Sequence, residues 1–172
     1  DAPDIRPRIR TYFVGSWNQQ QDPASFDYLD REHRDLWFIH ANTTFRGWYM
    51  GGNQDGNLDN ARFVQAHVCG RGALGALFCG LSPALGAGAK GRIKMGDTPS
   101  VAYLLRGIAD QPTGEHWGGR FVPHPDGRPN WWVDDPDPGW RVADRPGART
   151  VSQYREQFLR DWQRRMARLP LQ

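Results

Sequence analysis

The sequence predicts an α/β fold built on a mostly parallel, doubly wound sheet, and three observations predict it. Two short apolar strands flank a capped helix, which makes a βαβ unit. The second strand, Leu36-Trp37-Phe38-Ile39-His40, is nearly continuously apolar, as a strand covered on both faces must be. Farther along, Thr98-Pro99 and the closing segment both carry helix-start chemistry. The 172 residues are enough for one ordinary domain or for part of a larger one.

Composition narrows the function classes. Charged residues make up 24% of the chain, and no run approaches the roughly 18 to 20 apolar residues of a spanning helix, so no membrane partner is expected. Eight Trp, eight Phe and five Tyr argue against a disordered chain, because side chains of that size imply burial or an exposed stacking surface. The net charge is only +3, and the sequence pI is about 9.1. No nucleic-acid partner is expected: the basic concentration, Arg155, Arg160, Arg164, Arg165 and Arg168, is interleaved with apolar residues at helical spacing and reads as a solvated helix face. Asp1-Ala2-Pro3-Asp4 shows neither an initiator Met nor a signal pattern, so the chain reads as processed or excerpted. Cys69 and Cys79 could close one bridge in an exported protein, but the pair reads more readily as two small buried hydrophobes. The compartment stays open, with periplasmic or secreted slightly ahead of cytoplasmic.

The elements follow in order. Ile9 to Gly15 is a strand rich in β-branched and aromatic residues, ending at a glycine. Asp22 supplies the N-cap oxygen and Pro23 the first turn of a helix that carries Phe26 and Leu29 to about Arg34. Gly51 to Asn57 is a polar loop, after which Asp59 or Asn60 caps a short helix through Val68. Residues 70–91 are Gly- and Ala-rich and read as a loop. Gly86-Ala87-Gly88-Ala89-Lys90-Gly91 fits the dinucleotide fingerprint in letters only, since no strand precedes it. Thr98 as N-cap and Pro99 at the first position open a helix through Leu105 that stops at Gly107. Residues 111–149 combine many prolines with Trp117, Trp131, Trp132 and Trp140 and read as an ordered aromatic loop. Thr150 and Gln153 form a capping box for a terminal helix over 151–169, with Tyr154, Phe158, Trp162 and Met166 recurring every four residues.

Candidate site residues come from where these elements end. Ser16-Trp17-Asn18 lies just past the C-terminal end of the first strand, the edge at which open α/β sheets bind ligands, and Asn18 offers a donor and an acceptor to a pair of sugar hydroxyls. Asp97 precedes a helix start, as a cap or as a ligand for a hard cation. Asp134, Asp135 and Asp137 lack calcium-loop spacing and read as a solvated turn. His67, Cys69 and Cys79 lack a fourth zinc ligand. His40 reads as a satisfied core histidine. In His116-Trp117-Gly118-Gly119-Arg120 the glycines let backbone approach a ligand, while Trp117 offers a stacking face and Arg120 a bidentate donor; a tightly packed corner is the alternative.

Three segments carry a resemblance: Gly15 to Ala24, Ile39 to Thr44, and Gly96 to Leu105. They look like the second half of the nucleoside hydrolase fold, with its Glu-aromatic-Asn and Asp-Pro-Glu-Ala pattern, a strand, then His-Asp-Pro before a helix. Met95 to Ser100, His116 to Arg120 and Phe158 to Met166 are similar to the branch of nucleoside hydrolase-like proteins described as cellulose-binding, and the likeness runs over almost the whole chain. It implies that residues 1–172 are the C-terminal portion of such a domain. It also implies a calcium ion with Asp97 as one ligand, Asn18 on sugar hydroxyls, and a sugar or nucleoside as ligand. Ser16 stands where the classical enzymes place a sugar-binding Glu, and Gly96 where they place a His near the leaving base. The family's Asp-rich calcium strand belongs to an N-terminal half that this chain does not contain, so a companion segment or chain is the expected partner. A homo-oligomer is a further expectation. One carboxylate cannot hold calcium, which takes six to eight oxygens. Two functions follow: hydrolysis of a glycosidic bond, N-ribosidic or related, by the complete assembly with this chain inactive alone, or non-catalytic carbohydrate binding.

Overall fold

The computed structural model of the chain describes residues 4–51, 63–85 and 95–171. A 3-10 turn at Arg6–Arg8 leads into β1 (Arg10–Val14), followed by α1 (Gly15–Gln21), α2 (Pro23–Glu32) and β2 (Trp37–Ala41). A 3-10 helix at Thr44–Trp48, a π-turn at Gln65–Cys69, α3 (Gly72–Leu85) and α4 (Thr98–Leu105) come next. Then follow β3 (Phe121–Pro123), β4 (Trp131–Asp134), a 3-10 turn at Pro138–Trp140, α5 (Ala148–Ser152) and α6 (Arg155–Met166). The sheet order is β1-β2-β4-β3. β1, β2 and β4 are parallel, Tyr12 opposite Ile39 and Ile39 opposite Trp132, while β3 closes the edge antiparallel.

The βαβ unit forms as its residues dictate. Asp22 caps α2, its Oδ1 accepting the Ser25 amide at 3.0 Å, and Pro23 fills the first turn where no N–H is needed. The apolar run of β2 is covered on both faces. Trp37, Ile39 and Ala41 pack with Tyr103 of α4 and with Phe121, while Phe38 and His40 meet Phe26 of α2. Phe38 also stacks on Trp131 of β4, centroids 4.5 Å apart. A second core layer joins Trp48, Phe63, Ala102, Trp117, Val151, Phe158 and Leu159, with Trp48 stacked on Phe158 at 4.0 Å. Aromatic pairs of this geometry add to what area burial alone contributes.

Several elements differ from the expectation. Residues 111–149 are not all loop, since they contain β3 and β4. Proline is tolerated there because Pro123 ends an edge strand, where no ladder partner needs its missing N–H. The Gly- and Ala-rich stretch is the helix α3 as far as Leu85, because Ala and Leu are strong helix formers and the segment is clamped by a bridge from Cys69 to Cys79, Cα atoms 5.5 Å apart. The cysteines are thus a disulfide and not two buried hydrophobes. The N-cap of α4 is Asp97, one residue before Thr98, and its side chain makes no capping bond. The Thr150–Gln153 capping box does not form. Gly147, at φ +71°, caps α5, and the Thr150 hydroxyl donates to its carbonyl at 2.6 Å. The chain then turns at Tyr154 before α6, so the terminal helical pattern is two helices. The expected Asp59 or Asn60 cap and the Gly86 to Gly91 motif lie outside the described residues.

Arg155 is the other departure. It does not lie on a solvated face: it is 1% exposed and donates to the carbonyls of Gly51, Gly47 and Met50 at 3.1 to 3.3 Å, and burial lowers its pKa to about 10. The arginines beyond it do stay at the surface, Arg164 and Arg165 against Asp161 and Arg160 near Glu156.

Replacing Cys79 by Ser should lower the unfolding free energy by about 2–3 kcal/mol through the lost loop constraint, as read by urea denaturation. Thiol alkylation of the wild-type protein should require prior reduction.

Candidate functional site

The C-terminal ends of β1, β2 and β4 converge on one sheet edge, and the segments leaving them build the candidate site. β1 runs directly into α1, carrying Trp17 and Asn18, and both side chains are exposed, Trp17 to 64%. β2 continues into Asn42, Thr43 and Thr44. β4 ends at Asp134, whose carboxylate accepts the Thr43 amide at 2.6 Å, the Thr43 hydroxyl at 2.9 Å and the Thr44 amide at 3.1 Å. Burial pushes the Asp134 pKa up, against the opposing pull of those donors. Asp135 is 4% exposed, pairs with Arg120 at 3.4 Å and accepts the Asp137 amide at 3.0 Å. Asp134 and Asp135 are therefore structural, while Asp137 is exposed and caps the local 3-10 turn, accepting the Gly139 amide at 2.8 Å. The amides that Asp134 accepts come from a segment about 90 positions away, which no local pattern reveals.

Arg120 reaches the same edge because β3 runs antiparallel, which sets its start beside the end of β4. Its guanidinium lies over Trp140, 5.7 Å from the ring centroid. Asp97 stands exposed at the N-cap of α4, and a Cβ added at the adjoining Gly96 would meet the Phe45 ring at ordinary van der Waals distance. Trp117 is in the core instead. It is 8% exposed, and its indole N–H donates to Gln157 Oε1 at 3.2 Å. His116 is 1% exposed, stacked on Tyr103 at 3.8 Å, with Nδ1 and Nε2 near the carbonyls of Tyr103 and Gln111. That half of the His116 to Arg120 motif is the tightly packed corner.

His40, at the end of β2, is half-buried among Phe13, Phe26 and Phe38. It is not satisfied, since its Nε2 has no hydrogen-bond partner among the described residues. Burial, helped by the charge of His124, lowers its pKa to about 4. A Cβ added at Gly15 would overlap the His40 ring, so the start of α1 is pressed directly onto it. Sequence reasoning missed this contact because Gly15 opens α1 while His40 lies 25 positions on, in β2.

The donor set does not by itself fit calcium. Asp97 is a lone carboxylate, and no group of three or more His, Cys, Asp or Glu is gathered for a metal among the described residues.

The fold is a mostly parallel α/β sheet with helices packed on both faces. Residues 1–121 match the family described as cellulose-binding Sde182, nucleoside hydrolase-like domain, and the chain belongs to that family. The match ends as β3 begins, so Trp131 to Asp134, which form an interior strand of the sheet, and the Phe158 to Met166 segment lie beyond it. No curated protein and no solved structure matches the chain.

Two outcomes test this geometry. Asp134→Asn should cost about 1–3 kcal/mol, because an amide N–H₂ then faces N–H donors in place of a lone pair. The unfolded His40 titrates near its ordinary value of 6.5 and the folded one near 4, so the unfolded chain binds the proton first as pH falls. Stability should be complete above that window and fall through it by roughly 2–3 kcal/mol. His40→Gln should flatten that slope in urea midpoints compared between neutral pH and about pH 4.5.

Proposed function

We propose that this chain binds a carbohydrate at the C-terminal edge of its parallel strands. The observation that carries the reading is the exposed pair Trp17 and Asn18 on the first turns after β1. An indole offers a flat apolar face to the C–H face of a sugar ring, and an amide beside it bonds a hydroxyl as both donor and acceptor. Arg120 and Trp140 extend the same edge. A cellulose-binding family description supports a polysaccharide as the ligand class.

A second reading is hydrolysis of a glycosidic bond by a complete assembly, and the exposed, uncapped Asp97 favours it. In this reading Asp97 supplies one carboxylate to a calcium ion whose other ligands come from a companion segment or chain. The surface supports such a companion. Leu74 of α3 and Val101 and Leu105 of α4 are exposed and line an apolar cavity of about 410 Å³. Exposed apolar groups gathered around such a cavity mark a packing surface. The Cys69–Cys79 bridge supports an oxidising compartment, periplasmic or secreted.

Titrating cello-oligosaccharides while following Trp fluorescence tests the first reading. Trp17→Ala and Asn18→Ala should each weaken binding about tenfold at unchanged thermal stability, consistent with the loss of one stacking or hydrogen-bonding contact. Binding unaffected by both substitutions removes this edge as the site. For the second reading, Asp97→Asn should lower calcium affinity at least tenfold by calorimetry in the native assembly, while the isolated chain should release no base from nucleosides.

A further inference from the structure

At the opposite end of the parallel strands from Trp17 and Asn18 lies a second cavity, of about 370 Å³. Its lining residues, Arg6, Pro7, Arg10, Asp35, Trp37 and Asn130, all belong to the three segments that enter the sheet side by side. Arg10 is the first residue of β1 and sits opposite Trp37, the first of β2. Asn130 immediately precedes β4, and its carbonyl accepts the Phe38 amide at 2.8 Å. The walls are therefore fixed by the register of three strands and not by a single loop. The volume falls in the range of small-ligand sites, roughly 300–1,000 Å³.

Each polar side chain of this cavity is anchored through one atom and open through another. Arg6 donates from Nη2 to Asp35 Oδ1 and, at 3.0 Å, to His33 Nδ1. Arg10 donates from Nε to Asp110 Oδ1 at 2.6 Å and from Nη1 to the carbonyls of Pro7 and Ile9 at 2.8 and 3.2 Å. Its guanidinium also lies over Trp37, 5.5 Å from the ring centroid. Asn130 has left-handed backbone at φ +62°, and its Nδ2 donates to the Asp35 carbonyl at 3.4 Å. Two donors, Arg6 Nη1 and Arg10 Nη2, and two acceptors, Asp35 Oδ2 and Asn130 Oδ1, then make no hydrogen bond among the described residues. The two lining arginines are matched by two carboxylates, Asp35 and Asp110, so the cavity favours neither sign of charge. Stability does not account for the arrangement, because with Asp35 66% exposed water screens the pair and leaves it little strength. A balanced set of donors and acceptors suits a neutral group that does both, and adjacent hydroxyls each donate one hydrogen bond and accept others. Pro7 and Trp37 supply the apolar patch that meets the C–H face of a sugar ring.

We propose that this cavity binds a neutral sugar unit, as a second carbohydrate site at the N-terminal edge of the parallel strands. Asp35 and Asn130 accept from its hydroxyls, and Arg6 and Arg10 donate to them. The proposal stands on this cavity alone and does not rest on the edge that carries Trp17 and Asn18.

The test titrates cellotriose calorimetrically into the wild-type protein, into Trp17→Ala, and into Trp17→Ala carrying either Asn130→Gly or Asp35→Asn, with thermal midpoints as the check on folding. Glycine keeps the left-handed backbone of position 130 and removes only the amide. Trp17→Ala should still bind cellotriose, and each added substitution should weaken that binding about tenfold through the loss of one acceptor. A galacturonate trisaccharide and a glucosamine trisaccharide, of opposite charge, should bind no tighter than cellotriose. Should one added substitution lower the thermal midpoint, the other decides. Loss of all cellotriose binding in Trp17→Ala, or residual binding untouched by both added substitutions, overturns the proposal and leaves the Trp17 edge standing. A charged trisaccharide bound at least about tenfold tighter than cellotriose through Asn130 and Asp35 also overturns it, since the cavity is then a charge site. Wild-type binding that Trp17→Ala leaves unchanged while the cavity substitutions weaken it supports the proposal and removes the Trp17 edge. No binding of cellotriose to the wild-type protein overturns both.

Discussion

The Asp134 carboxylate is the constraint on which the rest of the edge depends. It ends an interior strand of the sheet and holds two consecutive backbone amides and one hydroxyl of Thr43 and Thr44. Those amides open the 3-10 helix Thr44–Trp48, and early helix amides have no partner of their own. Once they are satisfied, the helix direction is set: Trp48 stacks on Phe158 and Arg46 lies over the Phe45 ring. The cost is a carboxylate moved out of water, visible in its raised pKa.

Arg155 does the complementary work at the other end of the same helix. Its guanidinium collects the carbonyls of Gly47, Met50 and Gly51, the groups that a helix C-terminus leaves without partners. A positive charge is also favoured there by the helix dipole. An anion before the helix and a cation after it thus pin a five-residue element between β4 and α6. Both come from residues beyond 121, so the family-matched portion is held together by the portion that follows it.

The aromatic residues divide along the same lines. Trp37, Trp48, Trp117 and Trp131 are in the core, where their rings fill space between sheet and helices. Trp17 and Trp140 remain partly or largely open at the edge. Aromatic content alone does not separate a stacking platform from a core filler, because the same apolar area serves both. What separates them is whether a neighbouring element covers the ring.

By itself the sequence determined the α/β class, the βαβ unit with its Asp22-Pro23 cap, the continuous apolar strand β2 and the helix beginning near Thr98, since each follows from local periodicity and capping chemistry. It also pointed to Asn18 and Asp97, because both sit where an element starts, and to the family through short ordered motifs. Only the tertiary structure decided that Asp134 and Asp135 are anchors, that Arg155 is buried, that His40 Nε2 meets no hydrogen-bond partner among the described residues, that Trp117 belongs to the core and that Cys69 bridges Cys79. Each of these depends on groups brought together across the fold, the bridge excepted, and a charge or ring reads the same in sequence whether water or protein surrounds it. For the bridge, spacing leaves open what the turn between Cys69 and α3 settles by setting the two Cα atoms 5.5 Å apart.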